Sequence, residues 1–269
     1  MDKLKKLQII LRNLKSVVIA YSGGLDSTFL LKMAIDTLGR DSVIAVTARS
    51  ETYPVSEYRE SVQLAKRMKA RQMTIHTSEL AIRGFRANPV NRCYYCKREL
   101  FSLLEAIRKK RGMGCVLDGT NLDDLKDVRH GRKAAKELGV KSPLLEAGIT
   151  KDEIRKFSKR LGLATWEKPS FACLASRLPF GHAITTKDLG TIEKAEEFLR
   201  GLGFKQVRVR LHKDIARLEF SAYDIAKAVR MKDVIVRKLK GLGQVYVTLD
   251  LAGYRTGSMH EAAIDKIRR

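Results

Sequence analysis

Residues 16–38, SVVIAYSGGLDSTFLLKMAIDTL, decide how this chain is read. Val17–Ala20 is an apolar run of strand type, and Ser22-Gly23-Gly24 makes a tight turn. Phe29, Leu30, Met33, Ala34 and Leu38 then recur at helical spacing, with Gly39 where a helix C-cap belongs. Strand, glycine turn and helix start in that order build an anion site. The first N–H groups of the helix have no internal partner and carry the positive end of its dipole. Glycine lets a phosphate approach the backbone without a Cβ in the way. Ser22 and Ser27 add hydroxyl donors. No Gly-Lys-Ser/Thr follows, so this is not the kinase-type phosphate loop.

Outward from this stretch the first half alternates strand and helix patterns. Residues 42–48 and 72–77 read as further strands, and 115–120 as a fourth that runs into a turn. Residues 1–15 read as a first helix, followed by helices over 54–70, 97–111, 129–138 and 151–161. Thr150 three residues before Glu153 is a capping box. Residues 78–92 read as loop. The pattern predicts an α/β fold with a doubly wound, mostly parallel sheet. Ligands of such sheets lie beyond the carboxyl ends of the strands. Three places meet there: the glycine turn, the end of the second strand at Thr47, and Asp118-Gly119-Thr120-Asn121. These make Ser22, Gly23, Gly24, Asp26, Ser27, Thr47, Thr120 and Asn121 the candidate nucleotide-binding residues. Asp123, Asp124 and Asp127 are candidates for indirect service to Mg²⁺.

The pattern changes after Trp166, where Pro169 and Pro179 interrupt an aperiodic stretch. Two domains are expected: residues 1–168, and residues 169–269 as a smaller C-terminal α+β domain. In the latter, 187–202 and 222–239 read as helices, and 206–211, 215–220 and 244–251 as strands. Alternation in QVRVRL puts Arg208 and Arg210 on one face and Val207, Val209 and Leu211 on the other, which predicts one covered face. Arg177, Arg208, Arg210 and Arg255 are candidate phosphate clamps, because a guanidinium pairs bidentately with phosphate.

The chain of 269 residues carries 53 Lys+Arg against 30 Asp+Glu, a net charge of +23, which selects anionic partners such as nucleotides or RNA. No stretch is apolar for long enough to cross a membrane. The basic N-terminus lacks a small-residue cleavage site, so it does not read as a signal peptide. Four cysteines, two of them in CxxC, suit a cytoplasmic metal or redox site better than a disulfide scaffold. Cys93 and Cys96 lie in NRCYYCKREL and Cys173 in FACLASR; Cys115 falls in an apolar strand and reads as core. Three thiolates can hold a metal ion or a [4Fe–4S] cluster. A structural zinc needs a fourth ligand, for which His76 and His182 are the candidates.

SGGLDS resembles the loop of the PP-loop ATP pyrophosphatases, which have an adenine nucleotide alpha-hydrolase-like fold. That resemblance implies ATP cleavage to AMP and pyrophosphate, with Asp26 placing Mg²⁺. SGGLDS, RCYYCKRELF, LDGTNLDDLKDVRHGRKAAKELGVKSPL, residues 148–162, KPSFACLASRLPFG, VRVR and LDLAGYRTGS follow one another across nearly the whole chain. Together they resemble the LarE family of ATP-dependent sulfurtransferases, which serve nickel-pincer nucleotide biosynthesis. This resemblance implies adenylation of a carboxylate of pyridinium-3,5-biscarboxylic acid mononucleotide and its conversion to a thiocarboxylate. Asp26 and Cys173 would be catalytic. Family members either sacrifice one cysteine, at the position of Cys173, or bind a [4Fe–4S] cluster whose open iron carries sulfide. Cys93, Cys96 and Cys173 match the cluster type. A homo-oligomer is also implied. The nearest rival is a PP-loop tRNA thiolase, with tRNA as partner. Further rivals are an ammonia-using amidase such as NAD synthetase and a non-catalytic nucleotide-binding module with structural zinc.

Overall fold

In the apolar strands of the first half, successive side chains bury on opposite sides of one sheet. The computed structural model describes residues 2–125, 130–169 and 171–255. Asp127, the start of the helix expected from 129, and the end of LDLAGYRTGS lie outside them. The chain forms two units. The first takes the residues up to Ile82 and from Asn91 to Phe171; the second takes Arg83–Val90 and the chain from Ala172 onward.

In the first unit, α1 (Lys3–Leu14), β1 (Val17–Ala20), α2 (Leu25–Leu38), β2 (Val43–Arg49), α3 (Val55–Arg67) and β3 (Arg71–His76) alternate. After them come α4 (Arg92–Lys110), β4 (Cys115–Leu117), α5 (Gly131–Glu137), α6 (Pro143–Glu146) and α7 (Lys151–Arg160). The strand order is β3-β2-β1-β4, and every pairing is parallel. Val17, Ile19, Val43, Ala45 and Leu117 pack with Leu7 and Leu11 of α1, Phe29 and Leu30 of α2, and Ile154 of α7. The alternate residues Val18, Ile44, Val46 and Val116 pack with Phe101 and Leu104 of α4 and Ala135 of α5. Both faces are therefore covered, as a parallel sheet requires. Each fully buried Leu or Phe contributes about 1.5–3 kcal/mol.

The sheet reverses its strand order between β1 and β4, and a ligand crevice opens beyond the strand ends at such a switch point. The capping box at the start of α7 is present: the Thr150 hydroxyl accepts from the Glu153 amide, and Glu153 Oε2 accepts from the Thr150 amide at 2.9 Å. Gly39 ends α2 with φ +80°. The helix expected over 97–111 begins at Arg92, and both CxxC thiols lie on its first turns, in keeping with NRCYYCKREL as the start of a helix.

In the second unit, α8 (Thr186–Gly201) leads into β5 (Val207–His212) and β6 (Ile215–Phe220), an antiparallel pair. The helix expected over 222–239 is divided into α9 (Ile225–Arg230) and α10 (Lys232–Gly241). β7 (Tyr246–Leu249) then adds to β6 in parallel. Residues 83–90, expected as plain loop, belong to this unit. Phe85 is buried there, and Asn88 Nδ2 donates to the Pro179 carbonyl at 2.8 Å. The single covered face expected of β5 is corrected: Val207, Val209 and Leu211 are buried, and so are Arg208 and Arg210. Buried Glu219 receives the Arg210 guanidinium, while Arg208 donates to the Val207 carbonyl and lies over the Tyr254 ring, partners that strand periodicity does not reveal.

Candidate functional site

The glycine turn is held by its own hydroxyls. Ser27 Oγ is 3.2 Å from Ser22 Oγ, accepts from the Ser22 amide at 3.3 Å and donates to the Gly24 carbonyl at 3.3 Å. Gly24 caps α2 with no side-chain hydrogen bond, so no side chain of the cap occupies the first amides of α2. Gly23 has φ +62°, and an added Cβ would fall 2.6 Å from Ser61 Cβ of α3. Only glycine fits there. Asp26 lies on the first turn of α2, with Lys151 Nζ 3.9 Å from its Oδ2.

The turn after β4 lies against this loop. An added Cβ on Gly119 would be 3.1 Å from the Ser27 amide nitrogen. Asp118 organises the turn by accepting from the Thr120 amide at 3.1 Å, the Thr120 hydroxyl at 2.7 Å and the Ser142 hydroxyl at 2.7 Å. Asn121 is wholly buried; its Oδ1 accepts from the Asp123 amide, and its Nδ2 has no hydrogen-bond partner among the described residues. A buried amide of this kind is a ready donor for a ligand acceptor. Thr47 is buried at the end of β2, where Gln72 Nε2 donates to its hydroxyl at 2.8 Å. Ser22, Gly23, Gly24, Asp26, Ser27, Thr47, Thr120 and Asn121 thus all follow or end strands of one sheet.

Three residues at this loop were not singled out from sequence. Tyr53 donates to the Ser22 carbonyl at 2.7 Å. Lys151 faces Asp26. Lys168 Nζ donates to the Gly23 carbonyl at 3.3 Å and pairs with Glu57 at 2.8 Å and Glu60 at 2.7 Å. Lys168 heads the KPSFACLASRLPFG stretch, so its position in that motif was the available signal.

Cys93 is exposed and Cys96 half-buried, three residues apart on α4 and therefore on one helix face. Cys96 Sγ donates to Glu79 Oε1 at 3.3 Å, while the Thr52 hydroxyl donates to the other oxygen of Glu79. Cys115 is half-buried in β4, and burial pushes its thiol up, in keeping with a core role. Cys173 belongs to the second unit. Among the described residues no three His, Cys, Asp or Glu side chains are grouped to hold a metal ion.

Cys173 precedes a single helical turn, Leu174–Arg177, that Arg177 secures. The wholly buried Arg177 guanidinium donates to the carbonyls of Ala172 and Cys173 and pairs with Glu196 at 2.9 Å. Arg210 pairs with buried Glu219 at 2.8 Å and donates to the Ser176 carbonyl. As phosphate clamps, Arg177 and Arg210 would have to leave these internal bonds. Arg208 is buried with its guanidinium 5.2 Å from the centre of the Tyr254 ring. Burial, and then the charge of Arg177, pushes the Arg208 guanidinium down to about 10. Arg255 is half-exposed, 3.8 Å from Asp250. A cluster this rich in cations suits an anionic ligand.

A family model described as NAD synthase matches residues 3–89, from α1 through the strands around the glycine loop. A protein of Lactiplantibacillus plantarum named pyridinium-3,5-bisthiocarboxylic acid mononucleotide synthase is 39% identical over 96% of this chain and 94% of its own length. The chain belongs to the LarE family, within the PP-loop superfamily. Uncharacterised relatives of Synechocystis, 41% identical, and Methanocaldococcus jannaschii, 32% identical, match this LarE member over 96% and 94% of its chain, and over 97% and 98% of theirs. The NAD synthase match ends before Cys93, so it covers the nucleotide loop that the superfamily shares and none of the three thiols in question. No helix among the described residues is long and apolar enough to cross a membrane.

Proposed function

We propose that this protein is an ATP-dependent sulfurtransferase that turns the carboxylates of pyridinium-3,5-biscarboxylic acid mononucleotide into thiocarboxylates, in nickel-pincer nucleotide biosynthesis. The observation that carries this reading is the match of 96% of the chain to a synthase named for that product. A carboxylate is a poor electrophile. Its oxygen attacks the α-phosphorus of ATP, pyrophosphate leaves, and an acyl adenylate forms. A sulfide nucleophile then attacks the carbonyl carbon and AMP departs with one of the original carboxylate oxygens.

The chain's own residues supply the binding. The amides at the start of α2, with Ser22, Gly23, Gly24 and Ser27, receive the leaving pyrophosphate, where the helix dipole favours its developing charge. Thr47, Thr120 and Asn121 hold the rest of the nucleotide, with the buried amide of Asn121 as a donor. Arg208 and Arg255 take the substrate phosphate, braced by Arg177 and Arg210. One carboxylate with phosphate oxygens and water is an ordinary Mg²⁺ donor set, so Asp26 would hold the ion, which screens phosphate charge. In this reading Cys93 and Cys96, one turn apart on α4, would with Cys173 be the thiolate donors to a [4Fe–4S] cluster, and that cluster would supply sulfide. Assembly as a cytoplasmic homo-oligomer belongs to the same reading.

The test is one anaerobic incubation with ATP, Mg²⁺, sulfide and the pyridinium mononucleotide. Pyrophosphate release that depends on the mononucleotide, with exchange of sulfur for oxygen in its mass, is expected. Pyrophosphate release with tRNA instead, and none with the mononucleotide, would overturn the reading.

A further inference from the structure

Two carboxylates stand beside an anion site, which is electrostatically the wrong sign. Glu57 and Glu60 are on the first turns of α3, the helix whose Ser61 abuts Gly23. Their field reaches the loop. Tyr21, next to the glycine turn, is pushed up to about 12, by burial first and also by Glu60. Tyr53, which holds the Ser22 carbonyl, is pushed up by burial first and also by Glu57 and Glu60. Left alone, these charges would oppose a polyphosphate in the loop.

Lys168 answers both at once. Its side chain is 10% exposed, and its ammonium touches Glu57, Glu60 and the Gly23 carbonyl. An ammonium has three donors, and three oxygens surround it. Its main chain is fixed from a different element: Arg155 of α7 donates to the carbonyls of Trp166 and Lys168. Lys168 is thereby a cation delivered to one point by the fold, unlike a solvated surface lysine.

We propose that Lys168 is a positioning residue for the nucleotide, which acts by neutralising Glu57 and Glu60 and so keeps the glycine loop receptive to a polyphosphate. This rests on the reading of that loop as the ATP site. Removal of the cation leaves two carboxylates facing the phosphates; removal of all three charges restores a neutral wall.

Calorimetric titration with ATP tests this on the wild type, K168M, K168R, E57Q/E60Q and K168M/E57Q/E60Q. K168M is expected to bind about tenfold more weakly, with K168R close to the wild type. The triple variant is expected to recover to within about threefold of the wild type, which a role in packing alone would not produce. Equal affinity of K168M and the wild type, or a triple variant as weak as K168M, would overturn the proposal. E57Q/E60Q is expected to bind ATP at least as tightly as the wild type, and a clearly weaker E57Q/E60Q would likewise overturn the proposal. A wild type that takes up no ATP would instead remove the reading of the loop on which this rests.

Discussion

Gly119 and Ser27 stand so close that a single added Cβ on the former would lie 3.1 Å from the amide nitrogen of the latter. Two segments about ninety residues apart in the chain thus share one wall at the start of α2. Gly119→Ala should push the α2 amides out of line while leaving the apolar core intact. ATP affinity should fall about tenfold, with about 1–3 kcal/mol lost from unfolding stability. Titration and denaturant unfolding on the same variant check this; unchanged ATP affinity would contradict it.

Gly23→Ala should be worse for the fold. The backbone there is left-handed, and the new methyl would meet both Cβ and Cα of Ser61, at 2.6 and 2.8 Å. The clash costs about 1–3 kcal/mol and the left-handed φ about 1–2 more. Because the Ser61 Cα is itself in the way, adding Ser61→Gly should recover only part of the loss. Full recovery in denaturant unfolding would show that the contact is with the side chain alone.

The Arg177–Glu196 pair predicts acid lability. Burial by itself would raise the Glu196 carboxyl, but Arg177, then Arg208 and Arg200, hold it below the usual carboxylate range. A carboxyl lowered on folding stabilises fully above its unfolded value, about 4.3, and loses that contribution as pH falls through its folded value. Glu153 behaves alike in the first unit, lowered chiefly by its hydrogen bond from Lys3. Melting temperature should therefore hold near neutrality and drop below about pH 4. Arg177→Met, which removes the main cation on buried Glu196 and leaves it only Arg200 as a direct ion-pair partner, should cost about 3–5 kcal/mol and flatten that acid limb.

Iron content tests the thiols. Anaerobic reconstitution with iron and sulfide should load about four irons per chain, and Cys93→Ala, Cys96→Ala or Cys173→Ala should each lower that figure. Cys115→Ala should leave it unchanged. A wild type that loads no iron, together with loss of sulfur from Cys173 after one turnover, would replace the cluster by a sacrificial cysteine.

The parallel sheet and its glycine turn were legible because burial on both faces writes nearly continuous apolar runs, and Gly23-Gly24 has little other use behind such a strand. Local chemistry was legible too, as Thr150 and Glu153 show. What was not legible depends on partners far away in sequence. Arg208 and Arg210 looked like an exposed face because alternation reports polarity, and nothing in VRVR announces Glu196 or Glu219. Asn88 joins the second unit through Pro179, about ninety residues later. Lys168 heads the KPSFACLASRLPFG motif, but its role needed Gly23, Glu57 and Glu60 around it.

The most direct measurement of the central claim follows an oxygen atom. The pyridinium mononucleotide, labelled with heavy oxygen in its carboxylates, is incubated with ATP and sulfide, and the AMP is weighed by mass spectrometry. Adenylation followed by sulfur attack predicts one labelled oxygen in AMP for each thiocarboxylate formed. Unlabelled AMP alongside thiocarboxylate would contradict it, because the carboxylate would then never have been joined to the α-phosphorus.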